Sequence, residues 1–321
     1  MKKLALNVAF ALTVCLNADA QVLVVASNEE HHAALVNPDN GQVFAKLPTG
    51  KGPHEIAVSP DGALAYVADS GPRGESGNTI TVLDLKSRAV KTTFDLAPYT
   101  VPHDLRISRD GSLLWVACAP AQTILEVDAR SGKILKTWET KQEGGWMLAP
   151  TPDDRKIYVA NLEGGSISII DRIAGAVRTI PFRQGAIGID CSPNGREVWV
   201  SSSNENVIAV VDNASGQIAA TFDSQGKKPV RVKFTPDGKR ALVVHGESNE
   251  LSVFDAAKRR LITAIKLPES PKVITLSRDG RRAFLTNPSA HKMTVVNLTA
   301  NKVLDTFPVG KTPDGIAWSD R

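Results

Sequence analysis

Cysteine and aromatic residues are scarce in this sequence of 321 residues, and neither sign of charge dominates it. Three cysteines are too few for a disulfide framework, and no C-x-x-C-H haem-attachment signature occurs, so we expect no c-type haem. The motifs H-E-x-x-H and G-x-S-x-G and a phosphate-binding glycine loop are also missing. The 38 basic and 34 acidic residues form no basic run and leave a net charge of +4. Nucleic acid is therefore not an expected partner.

Long hydrophobic runs are missing too, except near residue 1. Met1-Lys2-Lys3 precedes an apolar stretch over Leu4–Leu16, and Ala18-Asp19-Ala20 follows as a small-x-small site. This pattern predicts a secretory signal peptide over residues 1–20 and a periplasmic or secreted protein. A transmembrane anchor is the weaker alternative because the stretch is too short to span a bilayer. A lipoprotein reading of Cys15 is weaker still, since Val14 stands where a small residue is needed.

What the sequence does contain is a repeat. Its anchor is Ser59-Pro60-Asp61-Gly62, and related tetrapeptides begin at Ser108, Thr151, Ser192, Thr235 and Ser277; Ser319-Asp320-Arg321 is a shortened seventh copy. The spacings are 49, 43, 41, 43, 42 and 42 residues. Aspartate and glycine suit a tight hairpin, because the carboxylate caps backbone N–H groups and glycine tolerates a positive φ.

Each repeat predicts four short antiparallel strands, A to D. A β-rich run follows the anchor, as in Tyr66-Val67-Ala68-Asp69 and Tyr158-Val159-Ala160-Asn161, and an alternating apolar strand then ends at a turn aspartate such as Asp128. Four strands in about 42 residues is the size of one propeller blade. The first full repeat carries a longer B–C loop over residues 70–78, which is either a mobile lid or a tolerated surface insertion.

The two ends of the repeat array complement each other. Residues 22–27, 33–37 and 42–47 match strands B, C and D with no strand A before them, and residues 315–319 match a strand A with nothing after it. Together they predict one shared blade, so that the C-terminal strand closes the ring against the N-terminal strands. We therefore predict an all-β, seven-bladed β-propeller with four antiparallel strands per blade, as a single domain over residues 21–321.

These runs resemble the YVTN-repeat β-propellers, and within them the YncE-like periplasmic proteins. The resemblance covers the chain from residue 21 almost to its end and rests on motifs such as Tyr158-Val159-Ala160-Asn161. It implies the propeller fold but says little about chemistry, because propellers host unrelated functions. Some related propellers bind d1-type haem or a histidine-ligated copper cluster; two inner histidines are too few for the copper site.

Candidate site residues follow from the repeat alignment. Strand A is expected to be innermost, so the residues five and four before each anchor should surround the mouth of the central channel. There the chain places two histidines, three carboxylates and two cations where packing alone would favour apolar residues: His54, Glu55, His103, Asp104, Arg231, Lys272 and Asp314. Trp146 shares this ring, and His245 ends a strand B on the same face. All six histidines map to this face, a polar funnel suited to a small ligand, a carboxylate or a metal.

Two functions remain open from the sequence. In the first, the protein is a monomeric binding scaffold that offers the histidine face to a small ligand or a partner protein. In the second, it is a lactone hydrolase or lyase, with His54 or His103 as base and Glu55 or Asp104 orienting that base or holding a divalent metal. His54 and His103 are the candidate metal ligands. Cys118 and Cys191 should be buried, unpaired thiols, because the alignment places them about two blades apart.

Overall fold

A computed structural model describes residues 21–320; the predicted signal peptide lies outside them. Short 3-10 turns occur at Ala119–Ala121 and Pro288–Ala290. The strands, in chain order, are β1 (Val22–Ser27), β2 (His32–Val36), β3 (Val43–Pro48), β4 (Pro53–Val58), β5 (Leu64–Asp69), β6 (Thr79–Asp84), β7 (Ala89–Asp95), β8 (Pro102–Ile107), β9 (Leu113–Cys118), β10 (Thr123–Asp128), β11 (Ile134–Glu139), β12 (Gly145–Pro150), β13 (Lys156–Asn161), β14 (Ser166–Asp171), β15 (Ala176–Pro181), β16 (Ala186–Cys191), β17 (Glu197–Ser202), β18 (Val207–Asp212), β19 (Gln217–Asp223), β20 (Pro229–Phe234), β21 (Arg240–His245), β22 (Glu250–Asp255), β23 (Arg260–Lys266), β24 (Ile274–Leu276), β25 (Arg282–Asn287), β26 (Lys292–Asn297), β27 (Lys302–Pro308) and β28 (Pro313–Ser319).

These strands form seven antiparallel sheets of four strands each, which confirms the predicted propeller. Blades one to six are β4–β7, β8–β11, β12–β15, β16–β19, β20–β23 and β24–β27. The seventh blade has the order β28-β1-β2-β3, and Val22 pairs with Ser319 at its seam. The predicted closure of the ring is therefore confirmed, with strand bounds displaced by one or two residues.

The hydrophobic core lies between the blades. Seven apolar clusters each join residues of two neighbouring blades, so every interface has its own cluster. In β1, Leu23 and Val25 pack toward blade six while Val24 and Ala26 pack toward blade one. Because both faces of such a strand are covered, its sequence is a continuous apolar run rather than an alternation of apolar and polar residues. The innermost strands of neighbouring blades contact one another around the central channel.

The hairpin anchors work as their residue types predict. In the first anchor, Ser59 Oγ donates to Asp61 Oδ1 at 2.6 Å, and the N–H of Leu64 donates to Ser59 Oγ at 2.9 Å. Gly62 has a φ of +72°. In the third anchor Asp154 takes that left-handed position, with a φ of +58°. The anchors thus fix where each strand A ends and each strand B begins, which sets the depth of residues in the channel.

Within residues 21–320 no helix is long and apolar enough to cross a membrane. Cys118 and Cys191 are both unpaired, which confirms the prediction of free thiols. Cys118 is buried, but Cys191, at the end of β16, is only partly buried. Desolvation raises the pKa of each thiol to about 12, so both are poor nucleophiles at neutral pH.

Candidate functional site at the mouth of the central channel

The channel-mouth cluster is built from the first residues of the innermost strands. His54 and Glu55 lie in β4, His103 in β8, Arg231 in β20 and Asp314 in β28, and Lys272 precedes β24. Blades six, seven, one and two are consecutive around the ring, so Lys272, Asp314, His54 and His103 lie next to one another. The structure therefore brings together six of the nine residues singled out in the sequence: His54, Glu55, His103, Arg231, Lys272 and Asp314.

The two imidazoles are in direct contact. The ring centroids of His54 and His103 are 3.9 Å apart, with the planes tilted by 41°. Nδ1 of His103 lies 3.1 Å from the carbonyl oxygen of Trp146, which can only accept, so Nδ1 carries the proton. Burial holds the pKa of His54 at about 3 and that of His103 well below its usual range. Both rings are therefore neutral at physiological pH.

A lysine bridges two neighbouring groups at the mouth. Lys272 Nζ lies 2.7 Å from Asp314 Oδ2 and 3.5 Å from His54 Nε2. His54 Nε2 itself lies 3.3 Å from Asp314 Oδ2. The Lys272 side chain is 41% exposed, whereas those of Asp314 and His54 are 5% and 11% exposed. The ammonium group thus faces solvent on one side and the buried cluster on the other.

An ion pair crosses the channel beneath the histidines. Arg231 Nη2, from blade five, lies 2.6 Å from Glu55 Oε1, from blade one, and both side chains are almost fully buried. Burial, the largest influence, would raise the pKa of Glu55, but the Arg231 guanidinium together with His54 and Arg106 lowers it overall. Glu55 is therefore ionised at neutral pH, and the pair ties opposite sides of the ring together.

Two predicted ligand residues lie elsewhere. Asp104 Oδ2 accepts a hydrogen bond from the N–H of Leu148 at 2.9 Å and lies 3.2 Å from Arg106 Nη2, so this carboxylate joins the innermost strands of blades two and three. Burial raises its pKa to about 6. His245 is fully buried in blade five, where its ring packs against Gly226 outside the cluster.

Trp146 stands at the edge of the cluster rather than within it. Its ring centroid is 4.9 Å from that of His103, and its Nε1 donates to Glu163 Oε2 at 3.1 Å. The half-buried indole therefore offers an apolar wall beside the two imidazoles. Such a wall next to a few polar groups is typical of a small-molecule site.

Two other histidines of this face have a structural role. The αL residues His31 and His291 end B–C loops, and Nδ1 of each accepts a hydrogen bond at 3.0 Å from a backbone N–H just before the next innermost strand. The donors are Gly52 and Thr312. Asn206 does the same, accepting from Lys228 at 2.7 Å. These histidines are explained by the repeat, not by a ligand.

Deeper charges of the channel were not singled out in the sequence. Below the cluster lies a cavity of about 90 Å³ whose lining includes Arg106, Asp190 and Lys233. Asp190 Oδ2 accepts from the N–H of Phe234 at 2.8 Å, as Asp104 does from Leu148. The repeat could have identified these residues. Each stands two positions after the second residue that its blade contributes to the ring, and residues two apart in a strand point to the same side.

A metal could draw on this cluster only in competition with protein cations. Ligand atoms of His54, Glu55 and Asp314 lie within 4.8 Å of one another, a spacing compatible with one ion. However, Asp314 already forms an ion pair with Lys272, and Glu55 forms one with Arg231. His103 is not part of this group of potential ligands. The arrangement is better suited to a polar organic ligand than to a tightly held divalent ion.

Known proteins resemble this chain in part of the sequence. A family model described as YNCE-like beta-propeller matches residues 231–321, and one described as Lactonase, 7-bladed beta-propeller matches residues 14–148. The uncharacterized YncE proteins of Salmonella typhimurium and Salmonella typhi are each 23% identical over 212 residues. The match spans 63% of this chain and 59% of each relative, so it leaves part of each relative unmatched.

Solved structures share the fold across most of the chain. A protein of unknown function from Desulfotomaculum acetoxidans aligns with a TM-score of 0.78 at 13% identity, covering 93% of this chain and 98% of its own. Hydrazine synthase of Kuenenia stuttgartiensis aligns at 0.76 and 18% identity, covering 87% and 93%. A dihydro-heme d1 dehydrogenase, NirN, aligns at 0.64 and 16% identity, covering 94% and 75%. At these identities the likeness is one of fold.

Proposed function

Because this chain is a YncE-like seven-bladed β-propeller, we propose that it is an exported binding protein whose channel-mouth cluster receives a small hydroxycarboxylate. The observation that carries the proposal is that three of the cluster's buried polar atoms have no hydrogen-bond partner among residues 21–320. They are Nδ1 of His54, Nε of Arg231 and Oδ1 of Asp314. Leaving such an atom unpaired costs about 1–3 kcal/mol, which a ligand would recover on binding.

The donors and acceptors of the cluster match this class of ligand. Lys272 and Arg231 offer cationic donors for a carboxylate, and Asp314 Oδ1 offers an acceptor for a hydroxyl group. The neutral imidazoles can donate or accept without adding charge. Since the two carboxylates and two cations of the cluster balance, a ligand anion would weaken the Lys272–Asp314 pair and bind to the exposed side of the ammonium group.

Calorimetric titration with lactate, glycerate and gluconate tests the proposal. We expect wild type to bind at least one of them, and the double variant His54→Ala/His103→Ala to fold but bind at least tenfold more weakly. The matched control is His291→Ala, which removes a histidine of the same face that only caps a backbone N–H. Absence of binding to wild type, together with a double variant that only loses stability, would mean that the histidines are structural.

The second candidate is a lactone hydrolase or lyase, with or without a divalent metal. It is favoured by the lactonase-propeller match over residues 14–148, which covers His54, Glu55, His103 and Asp104. A neutral imidazole is the protonation state that a general base needs at pH 7. Native protein with a stoichiometric divalent ion and turnover of gluconolactone would favour this enzyme. Metal-free protein that binds gluconate without turnover would favour the binding protein.

Export and a monomeric state complete the proposal. Mass spectrometry of protein isolated from the periplasm or medium should find Gln21 as the first residue, and sizing should find one chain. An intact residue 1 on exported protein would contradict cleavage after residue 20. A protein partner at the histidine face remains a further prediction, which cross-linking through a cysteine placed at Lys272 would test.

A further inference from the structure

A large cavity lies between blades one and two, on the face opposite the histidines. Its volume is about 860 Å³, within the range of ligand pockets. Its apolar wall includes Leu64, Val82 and Phe94, and the turn residues Asp110 and Asp128 line its rim. We call the groove between two neighbouring blades on this face a seam. The first seam is the one between blades one and two.

In each of the other six seams, a cationic side chain reaches across to the neighbouring blade. Some reach a carboxylate: Arg172 Nε lies 2.8 Å from Glu126, Arg259 Nη2 lies 2.8 Å from Glu197, and Arg282 Nη1 lies 2.6 Å from Asp39. Others reach a backbone oxygen or an aromatic ring: Lys156 and Arg178 bond to the turn of blade four, Arg240 bonds to Leu298, and Arg88 lies over Phe44.

Two of these guanidinium groups also lie near aromatic rings of strand B. Arg172 is 5.1 Å from the ring of Trp115, and Arg282 is 5.3 Å from that of Phe284. The equivalent residue in the first seam is Tyr66, which lines the cavity and donates its hydroxyl hydrogen to the carbonyl of Ala129. The first seam thus retains the aromatic partner that the seams of Arg172 and Arg282 have.

What the first seam lacks is the cation itself. The positions that supply it elsewhere are occupied here by residues that cannot bridge. Leu64 stands at the position of Lys156, Arg240 and Arg282, Ala129 at that of Arg172, Gly132 at that of Arg88 and Arg259, and Thr92, by its strand pairing, at that of Arg178. Lys91 and Arg130 line the cavity but are exposed, and within residues 21–320 their side chains form no ion pair or hydrogen bond across it.

The rim supplies anionic oxygens for an incoming cation. All the hydrogen bonds that Asp110 accepts, from Ser108 and Ser112, go to Oδ1. Those that Asp128 accepts, from residues 130 and 131, also go to Oδ1. Oδ2 of each carboxylate is thereby left for a ligand. A guanidinium group could therefore meet carboxylate, aromatic and apolar surface here, as it does in the seam of Arg172.

We propose that the first seam binds an arginine side chain presented by another polypeptide, which supplies the missing cation in trans. The cavity is much larger than a guanidinium group alone, and so has room for the alkyl stem and adjoining backbone. In the other seams the cation is likewise held on a polypeptide. This site is separate from the channel mouth and does not depend on the function proposed for it.

Titration of full-length mature protein with a blocked Gly-Arg-Gly peptide, followed by calorimetry, tests the site. The matched peptide carries citrulline, which has the same shape without the charge. We expect the arginine peptide to bind at least tenfold more tightly than the citrulline peptide, which would be about 1.4 kcal/mol. Equal binding of the two peptides, no binding at millimolar peptide, or equally tight binding of guanidinium ion alone would overturn the proposal.

Protein variants give the second arm. Leu64→Arg supplies the cation internally and should weaken peptide binding at least tenfold, and Thr92→Arg, at an exposed position, should act similarly if the first variant folds poorly. The matched control is Leu113→Arg, the same change at the equivalent position of blade two, whose seam Arg172 already closes. Peptide binding unaffected by both seam variants, or weakened equally by the control, would place any bound peptide elsewhere.

Discussion

The ion pair between Glu55 and Arg231 allows a quantitative test of the channel. Its side chains are 5% and 7% exposed, so replacing one partner leaves a buried charge without its counterion. Such a loss costs about 3–5 kcal/mol. For a domain of this size, 1 kcal/mol corresponds to about 2 °C in Tm. We therefore expect Glu55→Met and Arg231→Met each to melt roughly 6–10 °C below wild type.

The double variant Glu55→Met/Arg231→Met removes both charges and should recover most of this loss, because a buried pair replaced by apolar residues is often neutral in stability. Calorimetry and urea denaturation of the four proteins measure the coupling. The exposed pair Lys51–Glu75, with side chains 67% and 57% exposed, provides the control. Glu75→Gln should leave the unfolding free energy almost unchanged, because solvent screens an exposed ion pair. Single variants as stable as wild type, or a double variant no better than either, would refute the reasoning.

Three further expectations rest on the same structure. Since the pKa of His54 is about 3 in the fold and near 6.5 when unfolded, stability should fall on acidification from pH 6.5 toward 3. The midpoint in urea should therefore drop between pH 7 and 5, and His54→Asn should drop less; an equal drop would contradict a neutral, buried His54. Gly315→Ala should cost roughly 1–3 kcal/mol, because its Cβ would lie 2.0 Å from the carbonyl oxygen of His54; unchanged melting would show that the strands can separate there. Alkylation in urea without reductant should modify both Cys118 and Cys191, and a bridge between them found by mass spectrometry would contradict the strand assignment.

The fold was predictable because each blade repeats the same local chemistry. The Ser-Pro-Asp-Gly turns and the apolar runs after them are local signals, and seven copies of them remove the ambiguity of any one. The adjacency of His54, His103, Lys272 and Asp314 followed from equal depth in consecutive blades. Predicting this part of the site required only the register of the repeat.

The pairing of side chains was not predictable in the same way. Glu55 meets Arg231 across the ring, 176 residues apart, and that contact depends on the width of the channel rather than on sequence spacing. Asp104 accepts a hydrogen bond from the backbone N–H of Leu148, because this strand of the next blade lies within reach of its carboxylate. His31, with a φ of +52°, caps a loop because its Nδ1 accepts the backbone N–H of Gly52. The partner of each of these side chains depends on its rotamer and on the nearby backbone groups, and cannot be predicted from residue type alone.

The pairing of β28 with β1 also has a kinetic consequence. Val22 and Ser319 meet across nearly the whole chain, whereas the other strand pairs join strands that are consecutive along the chain. Closing a loop of this length costs about 1.7 kcal/mol more entropy than closing one of a single blade. A chain that emerges residue by residue can form blades one to six as they appear, but the seventh must wait for the last strand. Until then, the edge of β1 is open to other strands, so a partner that shields it during synthesis or translocation would suppress aggregation.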